Sequence, residues 1–153
     1  MNIGLLILAV VALGFVGLQG YVRFAPVEPE RWHVTPMMPD VGAGDWPLPT
    51  GTRVARDYEA RPEEVLARLD RIAQADARTR VVAGSVEEGQ ITYETRSLFW
   101  GFPDYTSVSA RSDGAGTRLE IFARLRFGQS DLGVNAARVA AWLDALGEVT
   151  SGS

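Results

Sequence analysis

The sequence predicts an α+β protein: an N-terminal hydrophobic helix, then a single domain ordered strand, helix, four strands, helix (β-α-β4-α). Three observations carry this. Ile3 to Leu18 read IGLLILAVVALGFVGL, with no charged or polar side chain. Apolar residues recur at steps of three and four after Pro62 and again after Asp131. Between those stretches lie apolar, partly alternating segments separated by Gly-containing turns.

The first element extends through Gln19 and Gly20 to Val22, close to the ~20 residues and ~30 Å of helix that a bilayer core requires. Tyr21 and Arg23 close it, an aromatic and then a cation at interfacial depth. A cleaved signal peptide is the rival reading. Only Met1 and Asn2 precede the apolar run, and Pro26 follows Phe24-Ala25, a poor residue after a scissile bond. The expectation is therefore an uncleaved transmembrane anchor over residues 1–23. Gly4, Gly14, Gly17 and Gly20 form a small-residue face, which membrane helices tolerate or use for pairing. Arg23 and Arg31 against one N-terminal amine slightly favour a cytoplasmic domain, but Glu28 and Glu30 offset them.

Residues 24–51 hold six of the eight prolines, so an extended linker is expected there. Within it, Arg31-Trp32-His33 has two readings: Trp32 packs on the domain or rests at the interface, or the triplet is a docking element with His33 as a pH-sensitive contact.

The α+β domain is placed at 52–147. Arg53 to Glu59 reads as a short strand. Arg61-Pro62-Glu63-Glu64 starts a helix, with Pro in the first turn and carboxylates at the positive end of the dipole. Val65, Leu66, Leu69, Ile72 and Ala73 give it an apolar face. Strands follow at Arg80 to Glu87, Gln90 to Trp100 and Tyr105 to Arg111, with turns at Glu88-Gly89, Gly101 to Asp104 and Asp113 to Gly116. In the last strand Leu119, Ile121, Ala123, Leu125 and Phe127 face one way, and Glu120, Arg124 and Arg126 the other. Ser130 or Asp131 caps a helix from Leu132 to Leu146, stopped by Gly147, with a stripe of Leu132, Ala136, Val139, Leu143 and Leu146. Residues 148–153 are expected to be a disordered tail. An antiparallel sheet packed on a long C-terminal helix accommodates this order, similar to the helix-grip arrangement of TATA-binding-protein-like and lipid-transfer domains.

Composition removes several chemistries. The chain of 153 residues has a formal net charge of −4, which argues against nucleic-acid binding. It contains no Cys and no Lys, and its single His, His33, lies outside the domain. Disulfides, thiolate sites, a lysine nucleophile, and a His-based triad or zinc site within the domain are thereby removed. No cofactor and no metal are expected. All 15 basic residues are Arg, which codon usage explains as readily as a need for bidentate contacts.

Three segments together resemble one family. Arg96-Ser97-Leu98-Phe99, Gly101-Phe102-Pro103-Asp104 and the run RFGQSDLGVNAAR from Arg126 to Arg138 are similar to the uncharacterised family numbered 1499 among domains of unknown function. The likeness extends over about residues 30–147, Arg31-Trp32-His33 included. The resemblance implies bacterial and plastid occurrence, frequent membrane segments and no agreed activity. It places the chain in a bacterial cell membrane, with a preference for a periplasmic domain. It carries no catalytic residue across.

Asp131 can accept exposed backbone N–H groups at the helix start, and Gly133 permits a close approach there. Asn135 and Arg138, three apart, share a helix face. One expectation is a ligand site for an anion or lipid headgroup, formed by Arg96, Arg126, Asn135 and Arg138. The plainer one is a structural network in which Asp104 and Asp131 neutralise those arginines. Phe99, Trp100, Phe102 and Tyr105 cluster around the Gly101 turn, as core packing or as an exposed patch for lipid or a partner protein. The function expected is a membrane-tethered, non-enzymatic module that binds a hydrophobic ligand, a lipid or an envelope protein. The alternatives are a carboxylate-dependent hydrolase drawing on Glu94, Asp104, Glu120 and Asp131, or a structural subunit of a membrane complex.

Overall fold

The computed structural model describes residues 2–38 and 41–147; the tail expected over 148–153 lies outside the described residues. The elements are α1 (Ile3–Phe24), α2 (Pro29–Trp32), β1 (Gly44–Leu48), β2 (Gly51–Tyr58), α3 (Pro62–Gln74), β3 (Thr79–Ser85), β4 (Gln90–Arg96), β5 (Pro103–Asp113), β6 (Gly116–Leu125) and α4 (Val134–Leu146). The strands form one antiparallel six-stranded sheet in the order β1-β2-β6-β5-β4-β3. The predicted α+β order is present, with one strand more than the sequence announces.

That strand is β1, inside the segment expected to be an extended linker. Its Pro47 lacks an N–H for a ladder, which an edge position tolerates, and β1 pairs only with β2. Other boundaries move by a few residues. β4 ends at Arg96 rather than Trp100, because Gly101 adopts a left-handed φ of 68° and folds residues 97–102 into a tight loop. β6 ends at Leu125, and α4 starts at Val134 rather than Leu132.

The two longer helices of the domain cover one sheet face. Pro62 opens α3 after an extended Arg61, and Val65, Leu66, Leu69 and Ala73 are fully buried. They meet Ile91 and Tyr93 of β4, Val108 of β5, and Leu119, Ile121 and Ala123 of β6. From α4 come Val139, Trp142 and Leu146, and Trp142 meets Tyr93 edge-on at 5.6 Å. The buried stripe of α4 is thus Asn135, Val139, Trp142 and Leu146, rotated from the expected one; Leu132 is 90% exposed. The rotation follows from the polar corner that Asn135 enters with Asp104 and Arg138.

The opposite sheet face is not left to water. α1 is long and apolar enough to cross a membrane. Its last turn, α2, the residues up to Met38, and Val41 and Gly42 lie along this face as a strap. Trp32 stacks on Tyr105 with ring centroids 4.3 Å apart and planes 13° from parallel. Val22, Ala25, Trp32 and Pro36 are buried. Main-chain and side-chain bonds fasten the strap at intervals. Arg126 Nη1 donates to Pro26 O at 2.9 Å, Thr35 Oγ1 to Gln90 Oε1 at 2.9 Å, and Glu120 Oε1 accepts from Met38 N at 3.0 Å. Arg118 Nη2 donates to the carbonyls of Val41 and Gly42.

Candidate functional site

The register of the sheet decides which candidate residues can meet. Asp104 pairs with Thr95 and Leu125, so it points to the helix-covered face, whereas Arg96, Tyr105, Arg124 and Arg126 point to the strap face. The four residues expected to line an anion site therefore fall into two groups, Asn135 with Arg138 and Arg96 with Arg126.

The first group is a bonded corner. Asp131 Oδ1 accepts from Gly133 N at 3.0 Å and Oδ2 from Asn135 N at 3.1 Å, which satisfies donors at the start of α4. Gly133 takes a left-handed φ of 80° to make this turn. Asn135, with no exposed surface, donates through Nδ2 to Asp104 Oδ2 at 3.3 Å and accepts from Arg138 Nη1 at 2.8 Å. Arg138 Nη2 also donates to Asp104 Oδ2 at 3.3 Å. Burial holds the Asp104 carboxyl above the ordinary range; Arg138 opposes this, and the nearby Asp131 charge adds to it. In this arrangement each candidate residue serves as another's partner.

The second group lies under the strap and is richer than the sequence suggests. Glu94, 1% exposed, receives Arg96 Nε at 2.6 Å and Arg80 Nη2 at 3.4 Å. Arg96 Nη1 reaches on to Gly101 O at 3.1 Å and Val22 O at 3.4 Å, tying the end of α1 to the sheet. Tyr105 OH donates to Glu94 Oε2 at 3.3 Å and accepts from Arg126 Nη1 at 3.2 Å; burial raises this phenol's pKa. Further along, Glu120, with no exposed surface, lies 3.8 Å from Arg118 and 3.7 Å from Arg111.

A hydrogen-bond chain fixes the middle of the strap. Ser107 Oγ donates to Trp32 O at 2.9 Å, which commits its only hydrogen. Ser107 must then accept from Thr92 Oγ1 at 3.0 Å, and Thr92 in turn accepts from His33 Nδ1 at 3.0 Å. His33 therefore carries a proton on Nδ1. Arg124 Nη2 also donates to Trp32 O, at 2.7 Å, and its guanidinium lies over Phe122 and Trp32. Burial, with the like charge of Arg53 adding, pushes Arg124 down to about 10, so it remains a cation at neutral pH.

Sequence reasoning missed Trp142, Glu120 as a buried carboxylate, and the strap contacts of Arg118 and Arg124. The signal for the strap face was present in and just after β6, where Glu120, Phe122, Arg124 and Arg126 alternate with apolar residues. An aromatic such as Phe122 among charges on one strand face is the mark of a covered face.

The aromatic residues around Gly101 divide. Tyr105 is buried, but Phe99 is 82% and Trp100 50% exposed, so core packing does not account for those two. Trp100 meets Phe15 of α1 edge-on at 5.7 Å, and Tyr21 meets Phe127 at 6.1 Å. At the other end of the sheet, an open hollow of about 570 Å³ beside the β5–β6 hairpin is lined by Asp57, Tyr58, Glu59 and Asp113. It lies away from both candidate groups. Among the described residues no cluster of three or more His, Asp or Glu is arranged to hold a metal.

No curated protein matches the sequence. Among solved structures, the chain is similar to protein MLL2253 from Mesorhizobium loti (10% identity, 61% of this chain and 93% of that one, TM-score 0.45). It is also similar to CalU16 from Micromonospora echinospora (15% identity, 69% and 79%, TM-score 0.44) and to TTHA0849 from Thermus thermophilus (15% identity, 61% and 92%, TM-score 0.31). The family model described as a protein of unknown function, DUF1499, matches residues 49–146, from the β1–β2 turn to the end of α4. The chain belongs to the DUF1499 family.

Proposed function

We propose that this chain is a membrane-anchored, non-enzymatic binding module, with α1 retained as a single-pass anchor and the domain clasped close to the bilayer, where it binds a lipid or an envelope protein. One observation carries the reading: described residues between α1 and β1 are bonded across the sheet at intervals rather than hanging free. Trp32, His33, Met38 and the carbonyls of Pro26, Val41 and Gly42 all hold domain side chains. A domain fastened in this way rides at a fixed height above whatever surface receives α1. Burial of Val22 within the last turn of α1 supports retention of that helix, because cleavage near Arg23 would strip a side chain from the packed domain. The engagement of Glu94, Asp104, Glu120 and Asp131 by arginines, backbone N–H groups or Asn135 favours a binding role over carboxylate catalysis. The helix-covered face is filled by Leu66, Leu69, Tyr93, Trp142 and Leu146, which favours a ligand bound at the surface over one enclosed in the core. A periplasmic setting rests on the family resemblance alone.

Alkaline carbonate extraction of membranes, followed by native mass spectrometry of the detergent-extracted full chain, tests this reading. The protein should stay with the membrane, begin upstream of Arg23 and carry bound lipid or protein. A chain that washes off, begins after Arg23, or emerges with nothing bound overturns it.

A further inference from the structure

We propose that the end of the domain beside α1 is itself a lipid-docking surface, in which Leu98, Phe99 and Trp100 of the β4–β5 loop and Leu132 and Val134 of the β6–α4 loop enter the bilayer next to the helix. This rests on the proposed anchoring by α1 and names lipid as what the exposed surface meets.

Four observations point to it. First, these five side chains are 67%, 82%, 50%, 90% and 52% exposed, and together they make up most of the large exposed apolar surface of the folded domain. Apolar surface gathered at one end of a domain marks a binding surface rather than ordinary scatter. Second, both loops leave the same end of the sheet: β4 ends and β5 begins around one, and the other follows β6, which pairs with β5. Phe102 and Phe127 link them at 6.3 Å. Third, this end touches α1. Trp100 meets Phe15, which lies about 13 Å along the helix axis before Phe24. Arg23 packs against Gly101, and Tyr21 against Phe127. A bilayer that accepts α1 as far as Phe15 therefore also meets the tip of the loop, at the depth amphipathic elements reach. Fourth, Leu132 holds a left-handed φ of 52°, an unfavourable conformation for a branched side chain, while pointing away from the protein. The bonded corner of Asp131, Asn135, Arg138 and Asp104 fixes that loop from behind.

Charge fits the same occupant. The chain is net negative, yet Arg23 and Arg126 beside α1 make no ion pair with a carboxylate among the described residues. Both stand where headgroup phosphates would lie, and arginine binds phosphate bidentately.

The absence of native cysteine makes the test direct. Four single variants of the full chain, Phe99→Cys, Leu132→Cys, Val10→Cys and Ala115→Cys, are labelled with an environment-sensitive fluorophore. Each is reconstituted into phosphatidylcholine vesicles with and without phosphatidylglycerol. Lipid-borne spin-label quenchers and aqueous iodide are then compared. Labels at 99 and 132 should be blue-shifted and several-fold more sensitive to the lipid quencher than the label at 115, on the β5–β6 hairpin, with the difference larger in phosphatidylglycerol vesicles. If 10 is lipid-exposed while 99 and 132 respond to iodide as 115 does, the docking surface is refuted and the anchor stands. If 10 itself responds to iodide, the anchoring reading fails and this inference falls with it. If 99 and 132 are shielded from both quenchers, a protein surface covers them and lipid is the wrong occupant.

Discussion

Replacing Trp32 by Ala should release the strap while leaving the helix-covered core intact. Trp32 is 7% exposed, stacks on Tyr105 and receives the cation of Arg124. Truncating a buried Trp costs about 3–5 kcal/mol, of which the ring pair accounts for about 0.5–1.5. The strap covers one face rather than filling the core between two layers, so the lower end applies, about 3 kcal/mol. With a urea slope of about 2 kcal/mol per M, the midpoint should fall by about 1.5 M. Near-ultraviolet circular dichroism of the full chain in mild detergent follows the transition. Limited proteolysis should at the same time find new cuts between residues 25 and 43. Trp46, a half-buried side chain on edge strand β1, is the control, and Trp46→Ala should open no such cuts. A midpoint within a few tenths of 1 M of the parent, with the strap still resistant to protease, would refute the reasoning.

The bonded corner gives a second expectation: Asn135→Ala should cost about 1–3 kcal/mol in the same unfolding assay, since it removes a fully buried partner from both Asp104 and Arg138. Glu120→Gln should cost about 1–3 kcal/mol, because it removes one of the two carboxylates facing the buried Arg118 and leaves Asp57 as the other; Arg118→Ala should cost about 3–5 kcal/mol, because it strips a partner from the fully buried Glu120, and the double variant should cost less than their sum. Asp104 sets a pH dependence. Burial raises its folded pKa above the ordinary aspartate value, so the folded state binds this proton more tightly than the unfolded one. The ionised carboxyl therefore penalises folding above the folded pKa, and the penalty is relieved as pH falls through it. Melting temperatures of the parent, measured relative to Asp104→Asn from neutral pH down into the acid range, should rise; a flat or falling difference would contradict the burial argument.

Much of the fold was legible because it follows from local rules. An uninterrupted apolar run, Pro62 ahead of two carboxylates, and Gly114 at a hairpin corner each act within a few residues, and they delimit α1, α3 and the β5–β6 turn. The strap and β1 were not legible for the opposite reason. Proline disfavours long helix and central strand, but that rule does not reveal that the short helix α2 forms, that Trp32 finds Tyr105 or that Pro47 sits harmlessly on an edge. The candidate site depended on register in the same way. Spacing placed Asn135 and Arg138 together, because three residues on a helix share a face whatever the tertiary structure. Whether Arg126 joins them depends on whether Leu125 or Arg126 lies opposite Asp104, and pairing of Asp104 with Leu125 turns Arg126 to the far side. The SDLGVN motif also divides once seen in three dimensions. Asp131, Gly133 and Asn135 build the corner, while Leu132 and Val134 between them are left outside it.

The central claim is that anchor, strap and domain move as one body. With no native cysteine to interfere, spin labels at Leu18→Cys, on the exposed side of α1, and Ala115→Cys, on the β5–β6 hairpin, can report on it in vesicles by double electron–electron resonance. A single narrow distance peak that broadens when Trp32→Ala is added is the predicted result. A broad distribution in the parent chain, unchanged by that substitution, would mean that the domain swings freely on a leash.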